Sequence, residues 1–481
     1  MIDIRPVGHL IGWLLAALGA SMVLPMIADL VAGRGNALVF ATTAILTIVV
    51  GALVALACDG AARRPIGRRE SFLLATSIWA VFPFFGALPF WFGEPHANFT
   101  DAIFEAMSAL TTTGSTVFIG LERLPPGTLL WRGMMQWFGG LGILVVAMIL
   151  MPTLKVGGMQ IFRSEAFDTL GKILPRAGQI ALSLIGVYVT LSFFCLMGYV
   201  LTGMAAFDAW VHAMTTVSTG GMANTDASFG MYGAGAHYVA VIFMVLAALP
   251  FIRFVQLSAG SARPLLHDSQ IRSFLLLVLA VVAMLSAWLV LSGGAFEQSV
   301  REVLFNVVSV ITGTGYASAN YDTWGAFAMT VFFVVGLIGG CSGSTVCSVK
   351  IFRYQLLASA ISAEVKRLHS PNRVFTPRYE GRPVSRDVMD SVMAFFMMFF
   401  LTLAVVAVLL ILLGLPPLVA VSGAATALAN IGPGLGPEIG PAGNFAGLPA
   451  SAKWVLTVTM LLGRLEILSV YVLFTSGFWR G

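Results

Sequence analysis

From residue 391 to residue 437 the chain carries no charged side chain. A helix crosses roughly 30 Å of hydrocarbon in about 20 residues, so this run is too long for one span. It is expected to hold one spanning helix and a second element that dips into the membrane and returns. The rest of the chain agrees. Its residues are 58% hydrophobic and only 10% charged, with a mean hydropathy of +0.91, which excludes an ordinary soluble globule. Further uncharged stretches of spanning length fall at 7–28, 35–58, 71–93, 133–154, 177–207, 273–296 and 323–349.

A second pattern recurs among these stretches. Ala109 to Thr116 reads Ala-Leu-Thr-Thr-Thr-Gly-Ser-Thr, an uncharged run of hydroxyls and glycine. Three later runs echo it: Thr216-Val-Ser-Thr-Gly-Gly-Met222, Val310-Ile-Thr-Gly-Thr-Gly-Tyr316 and Leu428-Ala-Asn-Ile-Gly-Pro-Gly434. Each follows a short apolar segment and precedes a longer one, the mark of an internal repeat. The chain therefore reads as an all-α polytopic membrane protein. A two-helix accessory hairpin (1–66) comes first, and four units follow at 67–175, 176–268, 269–384 and 385–481.

Each unit is expected to contain a leading helix, a short helix, the hydroxyl-glycine stretch and a return helix. The short helices are placed at 101–110, 208–216, 299–310 and 418–428, the return spans at 133–154, 236–251, 326–349 and 455–474. Asp101 and Asp208 supply polar starts for the first two, and Ser299-Val-Arg-Glu302 fits a capping box for the third. A helix of about 12 residues is about 18 Å long and reaches only partway across a bilayer. The chain must then return as bare backbone at membrane depth, which is tolerated only inside protein or along a water-filled path.

The residues of the four stretches suit a dehydrated cation. Backbone carbonyls and a few hydroxyls replace its water shell without fixed charge, and the partially negative C-terminal ends of the short helices favour it further. The stretches supply Thr111, Thr112, Thr113 and Gly114; Ser218, Thr219, Gly220 and Gly221; Thr312, Gly313, Thr314 and Gly315; and, least alike, Ala429, Asn430, Ile431 and Gly432.

Charge placement gives a topology. Most of the 27 Lys and Arg fall at 5, 63–69, 155–176, 253–272, 350–386 and 480, all on one side if the spans alternate and the short segments dip back. By the positive-inside rule that side, with both termini, is cytoplasmic. The 350–390 segment is expected to form a basic cytoplasmic loop with a surface helix over 358–369. The opposite side carries Glu94, Asp101, Glu105, Glu122, Asp208, Asp226, Glu297, Glu302, Asp322 and Glu438, which reads as an acidic mouth attractive to cations. The first apolar segment has no convincing cleavage site and is taken as a retained helix. Cys58, Cys195, Cys341 and Cys347 are read as small packing residues.

Two features stand out below the stretches. The third return span carries Gly336, Gly339, Gly340, Ser342, Gly343, Ser344 and Thr345, which no helix interior favours. Broken spans with polar residues mark ion paths. Arg464 lies inside the last span, where a charge costs roughly 2.5 to 3.5 kcal/mol. Glu466 lies on a different face and is expected to pair with Lys350 or another basic residue. Motifs of other classes fail: Gly340-Cys-Ser-Gly-Ser344 lacks the lysine of a phosphate loop, the six histidines are scattered, and no catalytic constellation or nucleic-acid surface emerges.

The helix, short helix, Thr-Thr-Thr-Gly and helix unit, repeated four times after a hairpin, resembles the Trk/Ktr/HKT superfamily of potassium transporters, specifically the bacterial TrkH type. Gly157-Gly-Met-Gln-Ile-Phe-Arg-Ser-Glu165, Gly339-Gly-Cys-Ser-Gly-Ser-Thr345, Asn430-Ile-Gly-Pro-Gly-Leu-Gly436 and Gly463-Arg-Leu-Glu-Ile467 carry the resemblance further. It implies pseudo-fourfold symmetry about a central pore. The potassium filter would use Thr112 and Thr113, Thr219 and Gly220, Gly313 and Thr314, and Asn430 and Ile431. Gly114, Gly221, Gly315 and Gly432 would close the four sets in the pattern associated with potassium. The resemblance also implies an intramembrane gating loop at 339–347 (Gly339, Gly340, Cys341, Ser342, Gly343, Ser344, Thr345) and an electrostatic barrier at Arg464. It implies a homodimer in a bacterial inner membrane, gated by a cytosolic TrkA-type subunit. That subunit, not this chain, would bind ATP, ADP or NAD(H). A proton- or sodium-coupled symporter stands as the alternative, although no titratable carboxylate is expected near the filter.

Overall fold

The computed structural model describes residues 3–61, 67–146, 158 and 177–480. The basic cluster at 155–176, all but Gly158 of the 157–165 motif and the end of the first return span lie outside the described residues. Almost everything described is helix or the turns between helices, with one two-stranded hairpin (Arg378–Tyr379 and Arg382–Pro383) in the basic loop.

The accessory hairpin comprises Arg5–Ser21, continued by Val23–Val31, and Ala37–Ala57. It is anchored to the first unit by a buried polar knot. The Asp29 carboxylate accepts from Gly127 N–H at 2.5 Å and Asn36 Nδ2 at 3.3 Å, and Asn36 also donates to Thr128 at 3.2 Å and accepts from Glu94 N–H at 3.1 Å. Every member thereby loses water only in exchange for a partner.

The leading helices are Arg68–Gly86, Ala177–Leu201, Ser269–Leu291 and Arg386–Leu412, and the short helices are Phe99–Leu110, Ala206–Val217, Phe296–Ile311 and Pro417–Ala429. The first short helix starts two residues before Asp101, capped by Asn98, whose side chain accepts from Asp101 N–H. The third starts ahead of Ser299, so the expected capping box is not formed. Gly293, at φ +98°, ends the leading helix early, and an i,i+4 pair of Glu297 with Arg301 at 2.9 Å supports the added first turn.

The return helices depart most from simple spans. They are Pro126–Val145, Ala234–Ala248, Ala326–Gly336 and Ala450–Arg464. The second bends by 92° into Phe251–Ser258, and the fourth by 102° into the Leu468–Phe474 segment. The third stops at Gly336 and resumes only at Ile351–His369. That last helix starts earlier than expected because Ile351, Phe352, Arg353 and Leu356 bury its first turns. Among the described residues six helices are long and apolar enough to cross a membrane, or up to eight if each bent pair counts as one span.

Candidate ion pathway

The four short helices end in the same way. Just past each, one N–H reaches back five residues: Thr113 to Ser108, Gly220 to Thr215, Thr314 to Ser309 and Ile431 to Thr426, at 2.8, 2.9, 2.9 and 3.1 Å. The residue before it takes positive φ: Thr112 at 52°, Thr219 at 53°, Gly313 at 66° and Asn430 at 53°. This is the Schellman ending of a helix, with its left-handed residue. Glycine and asparagine suit that position, whereas Thr112 and Thr219 hold it against their β-branched preference, a strain typical of functional backbone.

Two residues on, Gly114, Gly221, Gly315 and Gly432 again have positive φ, at 85°, 71°, 81° and 107°. Extended chain throws successive carbonyls to opposite sides, and positive φ at alternate residues breaks that alternation. The glycines also allow a close approach between segments. A Cβ at Gly114 would lie 2.3 Å from Gly220 O, one at Gly221 1.7 Å from Thr314 O, one at Gly315 1.8 Å from Ile431 O and one at Gly432 2.9 Å from Thr113 O. First meets second, second third, third fourth and fourth first. The four segments close into a ring whose members touch backbone to backbone.

The hydroxyls mostly face away from that ring, into its supports. Thr113 and Thr111 share a hydrogen bond at 2.8 Å, as do Thr314 and Thr312, and Asn430 Nδ2 donates to the Thr113 hydroxyl at 2.8 Å. Tyr316 meets the Thr215 and Thr216 hydroxyls behind the second segment. These hydroxyls are thus committed to partners within and behind the segments. Residues outside the assigned filter sets also brace the ring. Gln136 donates to Gly220 O at 2.6 Å and accepts from Met222 N–H at 3.1 Å, and Ser115 donates to Gly432 O at 2.8 Å. A lone amide in an apolar return helix is the available signal for Gln136.

On the side of the loops that follow the four stretches, the ring opens into a cavity of about 200 Å³ bordered by Gly114, Gly221, Gly315, Gly432, Arg132 and Asp226, among others. The acidic mouth is less open than expected. Asp226 is the one acid on the cavity wall among the described residues, and its carboxylate accepts Gly120 and Leu121 N–H at 2.7 and 3.1 Å. Asp101 pairs with Lys453 at 2.7 Å. Asp322 accepts Gly436 N–H at 2.9 Å, and burial raises its carboxyl above the usual range while that N–H pulls it back. Glu105 is fully buried against Arg132 at 2.8 Å, and also accepts from the Thr116 hydroxyl and from Val117 N–H. Arg132 continues to Ala223 O at 2.9 Å. These acids stitch outer loops together because bare backbone donors there need acceptors.

Below the ring lies the break in the third return helix, buried from Gly339 to Cys347. Its backbone is paired to the bend of the second: Cys341 N–H donates to Ala248 O, and Phe251 N–H to Gly343 O, at 3.0 and 2.9 Å. Ser342 N–H donates to Gln270 at 2.8 Å, and the Ser344 hydroxyl to Cys341 O at 2.7 Å. Thr345 is the junction, its hydroxyl 3.2 Å from that of Thr219 and 3.2 Å from Ala247 O. Arg464, 1% exposed, donates to Thr345 O at 3.4 Å, Cys347 Sγ at 2.8 Å and Gly139 O at 2.8 Å. Glu466 has positive φ at the bend of the fourth return helix and pairs with Lys350 at 3.8 Å and with Arg353. Cys341 and Cys347 are free thiols, as are Cys58 and Cys195. His212 packs against Phe229 and Tyr232, its Nδ1 2.7 Å from Asp208 O.

Residues 37–479 match the family model TrkH, described as a cation transport protein. The chain belongs to the TrkH family. It is 44% identical over 97% of its length to the Trk system potassium uptake protein TrkI of Halomonas elongata, covering 95% of that protein. It is 35% identical to the potassium uptake protein TrkH of Vibrio parahaemolyticus, over the full length of both. The crystal structure of the potassium transporter TrkH from Vibrio parahaemolyticus superposes with a TM-score of 0.92 at 32% identity, covering all of both chains. These TrkH-family relatives are named as transporters, not enzymes, and the chain is a multi-pass membrane protein of the same fold.

Proposed function

We propose that potassium ions cross the membrane through the ring formed by the four segments, down their electrochemical gradient, and that residues 339–347 with Arg464 close the path beneath it. The observation that carries this reading is the closed cycle of glycine-to-carbonyl approaches at four equivalent helix ends. Carbonyl rings of this kind replace a cation's hydration shell. Potassium is the ion in the relatives' names. In this reading the four units are related by pseudo-fourfold symmetry after the 1–66 hairpin. The membrane is a bacterial inner membrane with both termini cytoplasmic, by the distribution of Lys and Arg.

Flux of rubidium or potassium into proteoliposomes of the purified chain, with and without an imposed proton gradient, tests the reading. Downhill flux independent of the proton gradient is expected. Uphill potassium movement only under a proton gradient would instead establish coupled symport. Gly114→Ser places a Cβ 2.3 Å from Gly220 O at a φ of 85° and is expected to lower potassium over sodium selectivity about tenfold, or about 1.4 kcal/mol. Competition of sodium with rubidium uptake measures it, and an unchanged ratio contradicts the filter assignment.

Arg464→Ala removes a buried positive charge that holds Thr345, Cys347 and Gly139 together. Basal flux is expected to rise severalfold. Unaltered or reduced flux counts against the barrier. Regulation is proposed to come from a cytosolic TrkA-type nucleotide-binding subunit acting on a homodimer of this chain, received by the basic loop at 350–390. Co-purification with soluble proteins, followed by flux with ATP, ADP or NAD(H), tests that proposal directly.

A further inference from the structure

A cavity of about 430 Å³ lies between the accessory hairpin and the first unit, apart from the ion pathway. Its wall includes Leu14 and Ala17 of Arg5–Ser21, Trp79 and Phe82 of Arg68–Gly86, and Phe138 and Gly142 of Pro126–Val145, with Ile185 of Ala177–Leu201 also reaching it. The wall runs along the C-terminal turns of Arg5–Ser21 and Pro126–Val145 and the second half of Arg68–Gly86. Its mouth continues into outward apolar surface, with Leu14 42% and Trp13 51% exposed.

Water does not suit this space. The Ser21 hydroxyl is committed to Leu18 O at 2.6 Å, and among the described wall residues Trp79 Nε1 is the one side-chain polar atom without a partner. A buried water needs about two to four polar partners, and an apolar cavity of about 150 Å³ already stays dry and takes up apolar ligands. A void of this size also forfeits the dispersion contacts of its walls. What surrounds the mouth in a membrane is lipid hydrocarbon.

We propose that this cavity binds one acyl chain of a bilayer phospholipid, and that the bound chain braces the first return helix where it meets the gate. Gly139 stands on the same wall. Its carbonyl receives Arg464 at 2.8 Å, and a Cβ on it would lie 1.8 Å from Leu110 O, so helix position here is transmitted to both filter and barrier. The site rests on the packing of the hairpin and stands whether or not the gate assignment does.

The test uses the full chain in nanodiscs containing a phospholipid with a diazirine near the end of one acyl chain, photolysed and mapped by mass spectrometry. Adducts are expected to concentrate at 78–82 and 138–146 over lipid-facing positions of Arg386–Leu412. Ala17→Trp, which fills the cavity from an exposed position, should cut those adducts at least about fivefold while leaving Arg386–Leu412 labelling unchanged. Leu14→Trp at the mouth serves as a second plug should the first variant fold poorly. Uniform labelling, or labelling undiminished by either plug, overturns the site. Wild-type flux should differ at least about twofold between straight-chain and phytanoyl-chain vesicles and the plugged variant should not. Equal wild-type flux in the two overturns the brace.

Discussion

Alanine at Gly315 is expected to abolish selective potassium flux. Its new Cβ would sit 1.8 Å from Ile431 O and 2.9 Å from Pro433 Cδ, at a φ of 81°. The left-handed backbone alone costs alanine roughly 1 to 2 kcal/mol, but the clash decides the outcome. Its partner is backbone, so no rotamer change relieves it, and the third and fourth segments must part. Gly120 is the control, left-handed at φ 70° and ψ 43° with nothing within 4 Å of where a Cβ would stand. Gly120→Ala carries the backbone strain without the clash and should retain flux. Rubidium uptake by both variants in parallel is the measurement, and equal activity would remove close approach as the reason for the glycine.

Replacing Arg132 with Met is expected to be the most destabilising single change near the pathway. It leaves the Glu105 carboxylate, 0% exposed, without its charge partner and with only the Thr116 hydroxyl and Val117 N–H, and frees Ala223 O, which spans to the second segment. Breaking a buried pair from one side costs about 3 to 5 kcal/mol. A large fall in the melting temperature of the purified protein is expected, with loss of flux. The double variant Glu105→Gln with Arg132→Met removes both charges and should recover part of the stability, because coupled partners are not additive. A double variant no more stable than Arg132→Met would show that the pair is not the coupling element.

The four hydroxyl-glycine stretches are legible in the sequence because their polarity interrupts apolar chain at regular intervals, and Gly114, Gly221, Gly315 and Gly432 mark where backbones must approach. The break after Gly336 is legible for the same reason, from glycines inside a span. The bend after Arg464 is not, because Leu465, Glu466 and Ile467 carry no breaker residue. It is held by Lys350 and Arg353, more than a hundred positions away, acting on Glu466. The bend at Leu249 has a local signal in Pro250 that the uniform apolarity around it obscures. The roles of the threonines are hidden for a related reason. Composition shows that hydroxyls are present, but whether they face the path or Thr111 and Thr312 depends on side-chain direction after a left-handed residue. Glu105 reads as part of the mouth because its partner, Arg132, lies 27 positions further on, in a different helix.

Thr345 touches the second filter segment through Thr219, the bend of the second return helix through Ala247, and the buried guanidinium through its carbonyl. The proposed sieve and the proposed barrier therefore share a residue that can couple them. Any coupling free energy by which an ion at the Thr219 segment biases the loop must act with equal magnitude in the reverse direction. Under the proposed function the ion then acts as a ligand for the gate, and potassium and sodium are expected to differ in how long the path stays open as well as in how readily they pass.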